Sequence, residues 1–140
     1  MAKKPFNVTI TGINTTKIFL VSKKKNIDSE IGKGLKAAGD LLKKEIEGSI
    51  DGRKSETRSV DTGEFLGSIK SVADNKKAVV SSSVKQSAFM EYGSSRGIKE
   101  RRHFRNSLAR KKSDIIKAIK KEIKWTYIVL NLIFINKNNL

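Results

Sequence analysis

IDSEIGKGLKAAGDLLKKEIEGSI, residues 27–50, decides the fold: Ile31, Leu35, Ala38, Leu42 and Ile46 recur at spacings of three and four, with Leu41 and Ile50 beside them. That period places them on one face of an amphipathic helix. Gly32, Gly34 and Gly39 interrupt the run, each costing about 1 kcal/mol relative to alanine in a helix interior. Such glycines mark either close packing against a sheet or simply a poor helix, and the sequence leaves both open. Asp51 and Gly52 end the helix, and the polar run 53–59 has the composition of an exposed loop that is free to move.

Outward from this helix the pattern changes period. Upstream, Phe6, Val8 and Ile10 alternate with Asn7, Thr9 and Thr11 and run on to Ile13, the two-residue repeat of a half-buried strand. Residues 14–22 read equally as extended or helical, and Lys23, Lys24 and Lys25 interrupt the apolar pattern. Downstream, residues 66–73 and 78–84 are short and β-compatible, and Asp74, Asn75, Lys76 and Lys77 between them predict the turn of a hairpin. Phe104, Leu108, Ile115, Ile119 and Ile123 then recur at spacings of four and seven among Lys and Arg, which predicts a second amphipathic helix with a basic outer face. Residues 125–135 are apolar except for Thr126 and Asn131. A run of this length is too short for a bilayer, which needs about 20 residues, and it reads as an edge strand, a partner-binding tail or an interfacial anchor.

At 140 residues, one domain with a single core is expected, over 1–124, with 125–140 as an apolar tail of undefined role. The absence of cysteine removes disulfides, thiolate nucleophiles and zinc–thiolate sites together. The first residues are basic but have no apolar run behind them long enough for a signal peptide, so secretion is not expected. The formal charge is +16, and its distribution matters more than its size. Residues 26–95 are close to neutral, whereas residues 96–124 carry twelve basic against three acidic side chains. That stretch is expected to face something negative, through Arg96, Lys99, Arg101, Arg102, Arg105, Arg110, Lys111 and Lys112. Lys and Arg on one helical face neutralise phosphates, but Phe104 alone interleaves them, so neither base readout nor a stacking platform is indicated.

Candidates for chemistry are thin. The single histidine, His103, stands among Arg101, Arg102 and Arg105, cations that lower its pKa, with no orienting carboxylate nearby in sequence; it reads as a residue that packs or caps at a helix start. Asp61, Glu64 and Glu91 have no metal-loop spacing and read as solvated or capping carboxylates. Gly93, Ser94, Ser95, Arg96 and Gly97 lack the pattern of a phosphate loop. No catalytic residue, metal or cofactor is expected.

Three segments carry a resemblance. Val60, Asp61, Thr62, Gly63, Glu64, Phe65, Leu66, Gly67, Ser68, Ile69 resembles the "P-x-DTG-x-L-x-x-SI" segment that follows a long N-terminal helix in the tail-completion, or head-tail joining, proteins of long-tailed phages and related proviruses. Asp61, Thr62, Gly63, Ser68 and Ile69 stand in matching order. Locally, Asp or Thr suits the cap of a short helical turn, Gly a tight backbone, and Ile the entry to a strand. Ser87, Ala88, Phe89, Met90, Glu91, Tyr92, Gly93, Ser94 is similar to the family's "YA-x-x-x-E-x-GT", and Arg102, His103, Phe104, Arg105, Asn106, Ser107, Leu108 to its "pFlrPAl". The likeness covers roughly 27–124. It departs at Ser59, where Pro is frequent, at Ser87, where an aromatic is common, at Ser94 for Thr, and at Asn106 and Ser107 for Pro-Ala.

The resemblance implies an α+β fold in which a long N-terminal helix packs on a small antiparallel sheet closed by a C-terminal helix. It also implies a structural, non-enzymatic role, as a homo-oligomeric ring between capsid connector and tail tube or at the tail end. Assembly would occur in the host cytoplasm, with other neck or tail proteins as partners and no small-molecule substrate. In that reading Asp61, Thr62, Gly63, Ser68, Ile69, Glu91, Tyr92, Gly93 and Phe104 maintain the fold, while the 53–59 loop and the basic helix make contacts. The rival expectations are a free, basic nucleic-acid-binding module and, ranked last, a membrane-surface protein anchored by 125–135.

Overall fold

The computed structural model describes residues 6–10 and 24–123. The ambiguous 14–22 segment, the end of the first predicted strand and the apolar tail lie outside them. In chain order the elements are β1 (Asn7–Ile10), α1 (Lys24–Ile50), α2 (Glu64–Gly67), β2 (Ile69–Ala73), β3 (Ala78–Ser82), α3 (Gln86–Tyr92) and α4 (His103–Glu122). The expected α+β class holds: a three-stranded antiparallel sheet of order β1-β3-β2, with the long helix α1 and the C-terminal helix α4 packed together.

The apolar face read from the α1 sequence is the face that is buried. Leu35, Ala38, Leu42, Ile46 and Ile50 are all fully enclosed, and most join Val8, Phe65, Ile69, Val80, Phe104 and Ile115 in one core. Lys24 and Lys25 fall inside the first turn of α1, so the lysine run begins the helix where the sequence suggested an interruption. Two of the glycines prove to be packing positions, one against each neighbour. A Cβ on Gly39 would lie 2.5 Å from Ser71 Oγ on the sheet, and one on Gly34 would lie 3.1 Å from the backbone of Ile119 on α4.

The hairpin has the predicted turn: Asp74 Oδ1 accepts the backbone N–H groups of Lys76 at 2.6 Å and Lys77 at 2.8 Å. Its strands are shorter than predicted. Leu66 and Gly67 close the single turn α2, entered through Gly63 at φ 83°, and the strand begins only at Ile69. At the far end β3 stops at Ser82, whose hydroxyl bonds Ser68 Oγ at 2.7 Å while Ser68 donates to the Phe65 carbonyl at 2.7 Å. The motif residue Ser68 thus ties the end of α2 to the end of β3. Between β3 and α4 lies α3, which has no counterpart among the predicted elements. It buries Ser87, Ala88 and Glu91, a set with no apolar periodicity to detect.

Candidate functional site

The resemblance segments converge at the start of α4. Its N-cap residue, Arg102, adopts a left-handed conformation (φ 54°) and offers no side-chain acceptor to the helix. Glu91 takes over that task from α3. Its carboxylate, with the residue 1% exposed, accepts the backbone N–H of Phe104 at 2.9 Å and of Arg105 at 3.0 Å, and the Arg105 Nε at 3.0 Å. A negative group on the free N–H groups of a helix start is favourable by both hydrogen bonding and the helix dipole. Arg105 also donates to the Glu91 carbonyl at 2.6 Å and lies 4.9 Å over the Tyr92 ring. Tyr92 meets Phe6 edge-on at 5.4 Å, and Phe6 meets the buried Phe104 at 4.9 Å, so strand β1 is anchored on this junction. Gly93 turns the chain away at φ 74°, where a Cβ would lie 2.8 Å from the Ile98 carbonyl oxygen; both facts require glycine.

A second polar cluster lies one residue back along α4. His103 is fully buried, with Ser49 Oγ 2.8 Å from Nδ1 and Ser59 Oγ 2.6 Å from Nε2. Ser49 donates its one proton to Glu56 Oε2 at 2.8 Å, so it must accept from Nδ1–H. Nε2 is then the acceptor for the Ser59 hydroxyl at 2.6 Å, a nearer partner for its one proton than the Thr57 carbonyl at 3.2 Å, and Ser59 itself accepts from Arg101 Nη1 at 2.7 Å. Burial, with the charges of Arg101 and Arg110, pushes the His103 pKa down to about 4 against the pull of Glu56. The expected direction is therefore found, and burial is its main cause. A Ser–His pair of this geometry resembles a nucleophile and base, but a base so acidic and so enclosed accepts protons poorly at neutral pH. The cluster instead pins the end of α1, the following loop and the start of α4 to one another.

Arg110 completes that pin. It reaches Glu45 Oε1 at 2.8 Å and Glu56 Oε1 at 2.5 Å, carboxylates whose side chains are 5% and 2% exposed. Burial pushes the Glu56 carboxyl up, but hydrogen bonds from Arg110, Ser49 and Asn106 outweigh it and bring the pKa to about 2. The 53–59 loop is exposed at Arg53, Lys54, Ser55, Thr57 and Arg58, as expected, but it is held at two points and is not free along its length. Glu56 and Ser59 are buried, and the Ser59 N–H donates to the Ile50 carbonyl at 2.8 Å. Composition shows polarity, and at Glu56 and Ser59 polarity means internal pairing.

The predicted basic contacts divide in the same way. Arg105 and Arg110 are committed to internal carboxylates, Arg101 to Ser59 and the Arg58 carbonyl, Arg102 to Glu100, and Lys111 to Asp114 at 3.1 Å. Arg96, Lys99 and Lys112 are exposed. Lysines left out of the predicted set, Lys44, Lys117 and Lys120, line open grooves. Of the motif residues, Asp61 and Thr62 are exposed at the rim of a cavity of about 210 Å³ that Ser59, Phe65, Met90 and Ile98 also line, whereas Ile69 and Phe104 belong to the core. Asp61, Glu64 and Glu91 do not form a cluster, and among the described residues no three acidic or histidine side chains are placed to hold a metal. Among the same residues no helix is long and apolar enough to cross a membrane. Comparison with protein-family models, with curated proteins and with solved structures finds no match for this chain.

Proposed function

We propose that this chain is a structural virion assembly protein, a ring-forming head-tail joining or tail-completion adaptor of a tailed virus or provirus. The observation that carries the reading is the junction at α4: Glu91, from the second resemblance segment, caps the helix that begins in the third, through Phe104 and Arg105. The first segment supplies α2 and Ser68, which close the sheet beside it. Ser68, Glu91 and Phe104 are therefore occupied in fixing the relative positions of three elements, as expected of a scaffold whose work is contact. The expected partners are further copies of the chain and other neck or tail proteins.

The test is assembly. Purified protein, mixed with the connector and tail-tube proteins encoded beside its gene, is expected to form rings visible by negative-stain electron microscopy, and deletion of the gene is expected to leave unjoined heads and tails. A chain that stays monomeric with those proteins present, and whose loss leaves complete particles, refutes the reading. The exposed lysines of α4 favour a second reading, a free nucleic-acid-binding module. It predicts salt-sensitive DNA binding by a monomer and no rings.

A further inference from the structure

We infer that the outward face of α4, together with the Arg53–Lys54 corner, is a sequence-independent contact surface for the phosphate backbone of duplex DNA. Two grooves flank this part of the helix. One, of about 360 Å³, is lined by Lys44, Arg53, Lys54 and Lys111 over a floor of Leu41 and Gly48. Most of its charge is locally offset, since Lys54 pairs with the 6% exposed Glu45 at 3.2 Å, Arg53 with Asp51 at 3.1 Å and Lys111 with Asp114 at 3.1 Å, so this groove adds less than the second. The other, of about 460 Å³, is lined by Arg110, Lys112, Lys117 and Lys120 around Ala109, Ser113 and Ile116, with no acidic residue. Arg110 joins the two, lining the second while its guanidinium reaches Glu45 in the first.

The chemistry of this surface selects its occupant. Protein–protein interfaces are depleted of lysine at their centres and enriched in aromatic anchors. Here six of the fourteen lining residues are lysine and two are arginine, no aromatic residue is present, and the one large apolar side chain of the second groove is Ile116. Lysine is a compact point charge suited to phosphate, and no Asn, Gln or unpaired Arg stands on the helix face to read a base edge. At 1.5 Å per residue, Lys112 to Lys120 spans about 12 Å, a length of duplex carrying about seven phosphates at one charge per ~1.7 Å. The contact moves away from Arg105 and Arg110, which the fold itself uses, to Lys112, Lys117 and Lys120, the exposed lysines of the second groove.

The inference rests on the adaptor reading for the presence of DNA beside the chain, and on the grooves alone for its chemistry. Its test is fluorescence anisotropy of the full chain with short labelled duplexes of two unrelated sequences across a salt series. Both duplexes are expected to bind equally, with log K falling against log salt by about 0.9 for each phosphate contacted. Lys112→Gln/Lys117→Gln/Lys120→Gln is expected to reduce that slope by about 2 to 3 and to weaken binding at least tenfold at low salt. The corresponding triple Arg variant is expected to restore it. Arg96→Gln/Lys99→Gln, exposed cations outside the grooves, is expected to change binding less than about twofold. Absence of binding overturns the inference, as does an equal loss in the Arg96/Lys99 control, which would reduce the effect to net charge. Equal or tighter binding of poly-L-glutamate would also overturn it, assigning the surface to an acidic protein. Ring assembly is scored separately: rings without DNA binding remove this inference alone, and DNA binding without rings removes the adaptor reading alone.

Discussion

Glu91 Oε2 accepts the backbone N–H of Phe104 at 2.9 Å, a bond across thirteen residues that lets one helix cap the next. Glu91→Ala removes this acceptor together with the bonds to Arg105 N and Nε, in a site with almost no solvent. The lost cap and the unsatisfied donors together are expected to cost about 2–4 kcal/mol. Glu91→Gln keeps one acceptor oxygen but turns an NH₂ toward donors, so a loss of about 1–2 kcal/mol is expected. Urea unfolding followed by circular dichroism measures both; an unchanged midpoint in Glu91→Ala would remove the cap from the account of the fold.

The single histidine makes the pH dependence attributable. His103 has a pKa of about 4 when folded against 6.5 when free, so between these values the unfolded chain binds a proton that the folded chain refuses. Stability is therefore expected to fall as pH falls through that window, by on the order of 3 kcal/mol in all. A second loss follows at lower pH: Glu56, at about 2 when folded against 4.5 free, loses its stabilising pairing as pH falls through that range. His103→Gln retains a neutral donor and acceptor and is expected to abolish the first loss while leaving the second. A wild-type stability that is flat from pH 6.5 to 4.5 would contradict the buried, neutral assignment of His103.

These two residues also mark how much the sequence could say. Elements whose apolar residues repeat, α1 and α4, were legible because burial imposes the period of the helix on the choice of residue. The 74–77 turn was legible because Asp74 carries its own local hydrogen bonds. Glu91 and His103 were not, beyond a general expectation of capping or packing, because their partners lie far along the chain: Phe104 for one, Ser49 and Ser59 for the other. The two buried positions of the 53–59 loop were not legible for the same reason. Glu56 and Ser59 look like solvated residues until Arg110 and His103 are brought to them, and only the tertiary fold does that.

Arg110 offers a test of that pin. Arg110→Ala leaves the nearly buried carboxylates of Glu45 and Glu56 without their shared cation, at an expected cost of about 3 kcal/mol. Arg110→Lys keeps the charge but cannot fork to both acids, and about 1–2 kcal/mol is expected to be lost. Combining Arg110→Met with Glu45→Gln and Glu56→Gln removes all three charges and is expected to recover stability to within about 1 kcal/mol of wild type. Thermal unfolding of the series decides the matter: a triple variant weaker than Arg110→Ala would show that the ion pairs themselves stabilise the fold.

Gly34 and Gly32, two residues apart on α1, are expected to respond to alanine with opposite signs. A Cβ at position 34 would approach the Ile119 Cα and carbonyl oxygen of α4 to 3.1 Å, and a backbone neighbour does not move aside as a side chain would. Gly34→Ala is therefore expected to push α4 outward and to cost about 1–3 kcal/mol, more than the gain in helix propensity returns. A Cβ at position 32 meets nothing nearer than Asn75 Cα at 3.8 Å, an ordinary contact. Gly32→Ala is then expected to stabilise by about 0.5–1 kcal/mol, through propensity and a less flexible unfolded chain. Midpoints of urea unfolding at constant m-value measure both changes. If Gly34→Ala raises the midpoint as Gly32→Ala is expected to, Gly34 is a weak point in the helix and not a position of close packing against α4.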